Sequence, residues 1–234
     1  MPIALGATLV LAAMTAARAQ SACPPQLPRV LLERFVSATC ILCWKEKPPQ
    51  LQEHRDAWVL DWLVATGGAA VKPATPRSAF LAAAALPEAS DRVTRAGSLA
   101  SDEAFTLSHP LAQRSALALE VRDTPLPGGR IELRMAARFT SQRPLPAGLQ
   151  GWLALVERIP AGEEGSPVDR QVVRAVVGPL PMEGLAKRPI DHLRTVAAPK
   201  IDYPERLASL GWVETEKGRV IAVGRGPLPD CPLP

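Results

Sequence analysis

Arg29-Val30-Leu31-Leu32-Glu33-Arg34-Phe35-Val36-Ser37-Ala38-Thr39-Cys40-Ile41-Leu42-Cys43 is the stretch on which the reading of the fold turns. Arg29 to Val36 is rich in apolar and β-compatible residues and reads as a buried strand. Ser37-Ala38-Thr39 follows it, and then two cysteines at Cys-x-x-Cys spacing. Beyond them, Trp44 to His54 can form a helix only in pieces, because Pro48-Pro49 interrupts the hydrogen-bond ladder. Ala57 to Ala65 reads as a second buried strand, broken by Gly67-Gly68. The expected order is therefore strand, cysteine pair, broken helix, strand.

That order carries a specific chemistry. A cysteine at the start of a helix meets unpaired N–H groups and a partial positive charge. Both favour the thiolate, so Cys40 is expected to have a lowered pKa and to be the attacking thiol. Lys45 and Lys47 would add positive potential if they fold back towards the sulfur. Cys43, one turn further in, would be the resolving thiol that releases a mixed disulfide. The arrangement is thioredoxin-like, and thiol–disulfide exchange with protein substrates or a redox partner is its expected activity. Two alternatives stand beside it: a static structural disulfide, or a soft metal ion held by the two thiolates. A zinc site of Cys40, Cys43 and His54 would lack a visible fourth ligand.

Three supporting residues follow from the same reading. Glu33 lies inside the first strand, either relaying protons to the resolving cysteine or simply sitting at an edge or paired with an arginine. Asp61, between Leu60 and Trp62, would have a raised pKa if buried near Cys43 and could then accept its proton. A complete thioredoxin fold also needs a strand entered by a cis-proline packed against the cysteines. Thr75-Pro76 is the candidate, although Arg77-Ser78-Ala79-Phe80 makes a poor strand after it. No Ser-His-Asp arrangement, Walker loop or HExxH occurs, and no cofactor is implied.

Ser78 to Ala96 is Ala-rich and expected to be helical on both sides of Pro87. The character of the chain changes near Ser108-His109-Pro110. In Ser115 to Asp123, and again in Arg130 to Phe139, apolar residues alternate with polar ones, the signature of a half-buried strand. Pro127-Gly128-Gly129 supplies the turn between them. Further strands are expected over Gly151 to Ile159, Arg170 to Val177 and His192 to Ala197, with a last hairpin from Trp212 to Val223. The expected organisation is a shortened α/β thioredoxin-like part over residues 20–106. An all-β antiparallel sandwich follows over 107–234.

The beginning of the chain reads as a signal peptide over residues 1–19. Ile3 to Ala13 is apolar and uncharged, and Ala17-Arg18-Ala19 fits a cleavage site, although Met1-Pro2 carries no Lys or Arg. No other segment is long and apolar enough to span a bilayer. The four cysteines all follow this segment, and an even count in an exported chain reads as disulfides. With Cys40 and Cys43 paired, Cys23 and Cys231 remain. A bridge between them would close a loop of about two hundred residues, worth roughly 4–5 kcal/mol in a loop-entropy model. The net charge is only +4 and the basic residues are scattered, which argues against nucleic acid as a partner. The expected location is periplasmic or secreted.

The run Leu32 to Cys43 resembles the opening of a secreted, thioredoxin-like bacterial family of unassigned function. Its members open with V-E-L-F-T-S-x-x-C-x-x-C. Glu33, Phe35, Ser37, Cys40 and Cys43 fall on the matching positions. That family continues into β-rich sequence, where a run like Leu153-Ala154-Leu155-Val156-Glu157 precedes one like Val172-Val173-Arg174-Ala175. Both occur here in that order. The chain departs from the family after the second cysteine, where Trp44-Lys45 stands in place of two prolines and Pro48-Pro49 come later. The resemblance implies a thioredoxin-like fold with Cys40 and Cys43 as its functional pair.

Overall fold

The computed structural model describes residues 28–48, 53, 56–65, 80–81, 85–86, 92, 99–100, 102–112, 115–141 and 144–227. The expected leader, the Cys23–Cys231 bridge and Pro76 lie outside the described residues. The chain forms β1 (Val30–Ser37), α1 (Ile41–Lys45), β2 (Ala57–Val64) and β3 (Ala104–Pro110). Then come β4 (Leu117–Leu126), β5 (Arg130–Phe139), β6 (Leu149–Ile159), β7 (Arg170–Pro181) and β8 (Ile190–Ala197). A 3-10 turn at Pro204–Arg206 leads into β9 (Leu207–Thr215) and β10 (Val220–Arg225).

These strands make a seven-stranded sheet in the order β10-β9-β6-β7-β2-β1-β3 and a three-stranded sheet in the order β4-β5-β8. The large sheet is mixed. β1 and β2 pair in parallel from Val30↔Ala57 to Ser37↔Val64, and β2 meets β7 in parallel at Asp61↔Val172. β3 runs antiparallel to β1, and β6 runs antiparallel to both β7 and β9.

This corrects the expectation of an α/β thioredoxin-like part. The regular elements of the described residues are almost all strands, and α1 is a short helix of five residues. The physical reason is visible in the pairing. β1 and β2 recruit β3 and β7 as neighbours, so the first strands become the edge region of one sheet shared with the second half. The expected boundary at residue 106 falls inside β3. Among the described residues no long helix follows the cysteines: α1 ends at Lys45, ahead of the prolines at 48 and 49.

Two sheets face each other as a β-sandwich, but not as the all-antiparallel one expected over 107–234, because the large sheet is mixed and takes in β1, β2 and β3. Along β5 the side chains of Ile131, Leu133, Met135 and Ala137 are buried, while Arg130, Arg134 and Arg138 are exposed, as a period of two demands. The buried row packs with Val121 of β4 against Leu153, Leu155, Val213 and Ala222 of the large sheet. The sheets approach closely at Gly224, where an added Cβ would lie 2.9 Å from the Leu119 Cβ and 3.0 Å from its carbonyl oxygen.

The rest of that face of the large sheet carries Val36, Leu63 and Val172, which pack with Cys40, Cys43, Trp44 and Leu81. The opposite face carries an aromatic row. Phe35 stacks on Trp62 at 6.0 Å, Trp62 meets Trp212 edge-on at 6.3 Å, and Trp212 stacks on Trp152 at 6.1 Å. The β1–β2 pair thus sits between two interiors, and every residue of β1 is buried.

Candidate functional site

The backbone between β1 and α1 is set by local hydrogen bonds. The Ala38 N–H donates to the Val64 carbonyl at 2.8 Å, and the Cys40 N–H donates to the Ser37 carbonyl at 3.0 Å. Cys40 is the N-cap of α1, and its Sγ accepts the Cys43 N–H at 3.1 Å. Cys40 and Cys43 are joined by a disulfide, with their Cα atoms 5.3 Å apart. Their residues are only 7% and 6% exposed, whereas Leu42 between them is 73% exposed.

The far end of the same turn is held by two buried guanidiniums. Arg34 Nη2 donates to the Cys43 carbonyl. Arg170 Nη2 donates to the carbonyls of Trp44 at 3.0 Å and Glu46 at 2.7 Å. These carbonyls have no intrahelical partners at a helix C-terminus, and cations suit them. Asp61 Oδ1 lies between the two cations, accepting from Arg34 Nη1 at 3.1 Å and from Arg170 Nη1 at 3.4 Å. Asp61 Oδ2 is buried with no hydrogen-bond partner among the described residues. Burial pushes the Arg170 pKa down; Asp61 opposes that shift and the Arg34 charge adds to it. Arg170 also lies over the Trp44 ring at 5.1 Å, and Trp44 Nε1 donates to the Glu164 carbonyl at 2.8 Å. The cysteine turn is therefore clamped from below by Arg34, Asp61 and Arg170.

Alternation along the strands decides which charged residues reach it. Arg34 and Val36 of β1, with Asp61 and Leu63 of β2, take the face that carries the cysteines. Glu33 takes the opposite face. There its carboxylate accepts from Arg92 Nε at 2.9 Å and Nη2 at 2.8 Å, and lies 3.0 Å from His109 Nε2. Arg92 Nη2 also donates to Glu214 Oε2 at 3.2 Å, and that oxygen takes the Trp212 Nε1–H at 3.1 Å. The Arg92 guanidinium carbon lies 5.4, 5.0 and 5.1 Å from the ring centres of Trp62, Trp152 and Trp212. Burial raises the Glu33 pKa, but the Arg92 charge and the hydrogen bonds from His109 and Arg92 outweigh it and hold it below the ordinary carboxylate value. A cavity of about 820 Å³ opens beside this cluster, lined by Glu33, Arg92, His109, Glu214, Lys217 and Arg219 among others.

Of the residues singled out in the sequence, the structure brings Cys40, Cys43 and Asp61 to one face and puts Glu33 on the other. Lys45 and Lys47 are exposed. Arg34, Arg170, Arg92, His109 and Glu214 escaped sequence reasoning as site residues. Arg34 carried a signal, since a charge beside Glu33 inside an apolar strand must find a partner once buried. Arg92 carried none, because its segment reads as an ordinary Ala-rich helix.

No protein-family model matches the chain, and no curated protein matches it in sequence. Among solved structures, HBP35 of Porphyromonas gingivalis is similar over 89% of this chain and 77% of its own, with a TM-score of 0.54 at 9% identity. That likeness is one of fold alone. A domain of the outer membrane lipoprotein Omp28 from Porphyromonas gingivalis is similar over 48% of this chain and 87% of its own, with a TM-score of 0.35 at 14% identity.

Proposed function

We propose that the chain is an exported protein whose Cys40–Cys43 disulfide exchanges with the thiols of a protein substrate. Export rests on the apolar segment Ile3 to Ala13 with its small-residue cleavage site, together with a formed disulfide, which persists in oxidising compartments. The observation that carries the exchange reading is the hydrogen bond from the Cys43 N–H to Cys40 Sγ. In the reduced pair the same bond would stabilise a Cys40 thiolate and so favour it as a leaving group.

A substrate thiolate attacks Cys40 Sγ, the Cys40–Cys43 bond breaks, and its electron pair leaves on Cys43 Sγ. A second substrate thiolate then attacks the substrate sulfur of the mixed disulfide and releases Cys40 as thiolate. The substrate loses two electrons and two protons as its disulfide forms. The cysteines take both electrons, Cys43 takes one proton, and the other enters solvent.

A second reading is favoured by the burial of both sulfurs within the Val36, Trp44, Leu63, Leu81 cluster. In it the bridge only staples the β1–α1 junction of an exported binding protein. Equilibration with glutathione and stronger dithiol buffers separates the two. A potential above about −300 mV, with thiol-oxidising activity lost in Cys40→Ser, supports exchange. A pair that stays oxidised below that potential, with no activity to lose, leaves the staple.

A further inference from the structure

We propose that Arg34, Asp61 and Arg170 hold an unbalanced positive charge beneath the cysteine turn, and that this charge is the counter-ion of the thiolate formed when the Cys40–Cys43 bridge is reduced. It sets the direction of electron flow, making the bridge an acceptor of electrons from substrate dithiols. The inference rests on the exchange reading above and adds to it the residues that drive the exchange.

Two guanidiniums share one carboxylate. Asp61 Oδ1 faces Arg34 Nη1 at 3.1 Å and Arg170 Nη1 at 3.4 Å. Among the described residues neither arginine makes an ion pair with a second acid. Their other donors go to neutral acceptors, the carbonyls of Cys43, Trp44 and Glu46 and the Ser166 hydroxyl. All three ionised side chains are buried. The charges around them do not restore the balance. Arg174, over the Phe80 ring that meets Trp44, has Glu157 as its own partner, and Lys45, Glu46, Asp102 and Glu103 are exposed. An arginine does not shed its proton to escape the cost of burial. Two cations against one anion therefore leave one positive charge over.

With the bridge closed, the cysteines do not answer that charge, because a disulfide is neutral. Reduction supplies the answer. Two electrons and one proton from a substrate dithiol turn the bridge into one thiol and one thiolate, and the dithiol's second proton enters solvent. The surroundings of the two sulfurs divide those roles. Cys40 Sγ accepts the Cys43 N–H at 3.1 Å, a bond that favours the anion. Cys43 Sγ lies 3.4 Å from the Asp102 carbonyl, an acceptor that only a thiol can satisfy.

The thiolate thus forms on Cys40, within the apolar cluster of Val36, Trp44, Leu63 and Leu81. Charges are weakly screened in such surroundings, so the cations are felt across the turn. The distance is short: Arg34 holds the Cys43 carbonyl, and the Cα atoms of Cys43 and Cys40 are 5.3 Å apart. A buried cation without its counter-charge is unfavourable, and a thiolate relieves it. The relief belongs to the reduced form alone, and a couple whose reduced form is stabilised is the stronger oxidant.

The test is the potential of the Cys40–Cys43 pair, read by equilibration with glutathione and dithiol buffers, alkylation, and mass spectrometry of the peptide that carries both cysteines. The pH dependence of Cys40 alkylation in the reduced protein reads the thiolate. Arg34→Gln and Arg170→Gln each remove a cation. Both are expected to shift the equilibrium towards the disulfide by at least about tenfold, about 30 mV for a two-electron couple, and to raise the pH at which Cys40 reacts. Asp61→Asn removes the anion and is expected to shift both readouts the other way, although it too costs stability. A merely structural role gives no such reversal of sign. Arg170→Lys, which restores the charge, and Lys47→Gln, at an exposed position, are expected to stay within about threefold of wild type. If Asp61→Asn does not fold, the Gln and Lys variants of Arg34 and Arg170 carry the test. Shifts of one sign in Arg170→Gln and Asp61→Asn, or equal potentials in the Gln and Lys variants, overturn the charge role and leave exchange standing. A wild-type pair that stays oxidised below about −300 mV overturns both.

Discussion

Replacing Asp61 by Asn removes the carboxylate that lies between the two buried guanidiniums of Arg34 and Arg170 while keeping the shape of the side chain. Asp61, Arg34 and Arg170 are each under 5% exposed, so solvent cannot substitute for the lost charge. Breaking a buried ion pair by removing one partner costs about 3–5 kcal/mol, far above the roughly 0–1 kcal/mol of a surface pair. Arg34 and Arg170 retain their bonds to the carbonyls of Cys43, Trp44 and Glu46, which argues for the lower part of that range. With a urea m-value of about 2 kcal/mol/M, a loss of about 3–4 kcal/mol lowers the unfolding midpoint by roughly 1.5–2 M. Urea unfolding followed by tryptophan fluorescence reads this directly. Glu120→Gln is the control: it breaks the exposed Arg122–Glu120 pair, whose side chains are 58% and 52% exposed, and is expected to shift the midpoint little. An Asp61→Asn loss below about 1 kcal/mol, indistinguishable from the control, would refute the claim that a buried clamp holds the cysteine turn.

Acid titration tests the other face. Glu33 has a pKa held below its ordinary value of 4.5, so its contribution to stability is present above that value and is lost as pH falls through the lower folded one. Glu33→Gln is expected to flatten the acid limb of a stability–pH curve measured by thermal unfolding, and an unchanged limb counts against the network. Gly224→Ala would press a methyl against the Leu119 backbone and is expected to cost about 1–3 kcal/mol by overpacking. A neutral result in urea unfolding would mean that the two sheets yield there. The Cys40–Cys43 bridge closes a loop of only four residues, so Cys40→Ala/Cys43→Ala is expected to cost about 2 kcal/mol in chain entropy. A much larger loss on calorimetry would favour the structural reading of the bridge over exchange.

Most strands were legible because their faces differ. In β5 the alternation of arginines with Ile131, Leu133 and Met135 gives both the element and its buried side, and the expected Arg130–Phe139 bounds match the observed ones. β3 was missed. Ala-Phe-Thr-Leu-Ser-His-Pro has no clean alternation and ends in a proline, and it forms a strand because β1 offers it a complete antiparallel partner. The thioredoxin-like expectation failed for a related reason. A buried strand followed by a cysteine pair specifies a turn, but what pairs with that strand is a long-range matter. At the site, the cysteines and the presence of buried charge at Glu33 and Asp61 were visible. Which face each would take was not, because the period of two separates Glu33 from Arg34 without saying on which side the cysteine turn folds. Arg92 lies 59 residues from Glu33 and 122 from Glu214, and Arg170 lies 109 from Asp61, and local pattern does not reach that far.

The two clusters share one cause. β1 is buried on both faces, yet it carries adjacent charges of opposite sign, Glu33 and Arg34. Pairing them with each other would neutralise both at little cost, but strand geometry forbids it by sending them to opposite sides. Each must recruit its counter-charge from elsewhere in the chain. Arg34 takes Asp61 and the cysteine turn, and Glu33 takes Arg92 and His109. Apolar residues at both positions would bury more simply, but they would not discriminate among the segments that dock on them. The charges specify which segment lies on which face, the cysteine turn on one and the Arg92 segment on the other. On this account the candidate chemistry and the Arg92 cluster are kept apart by the same two consecutive residues.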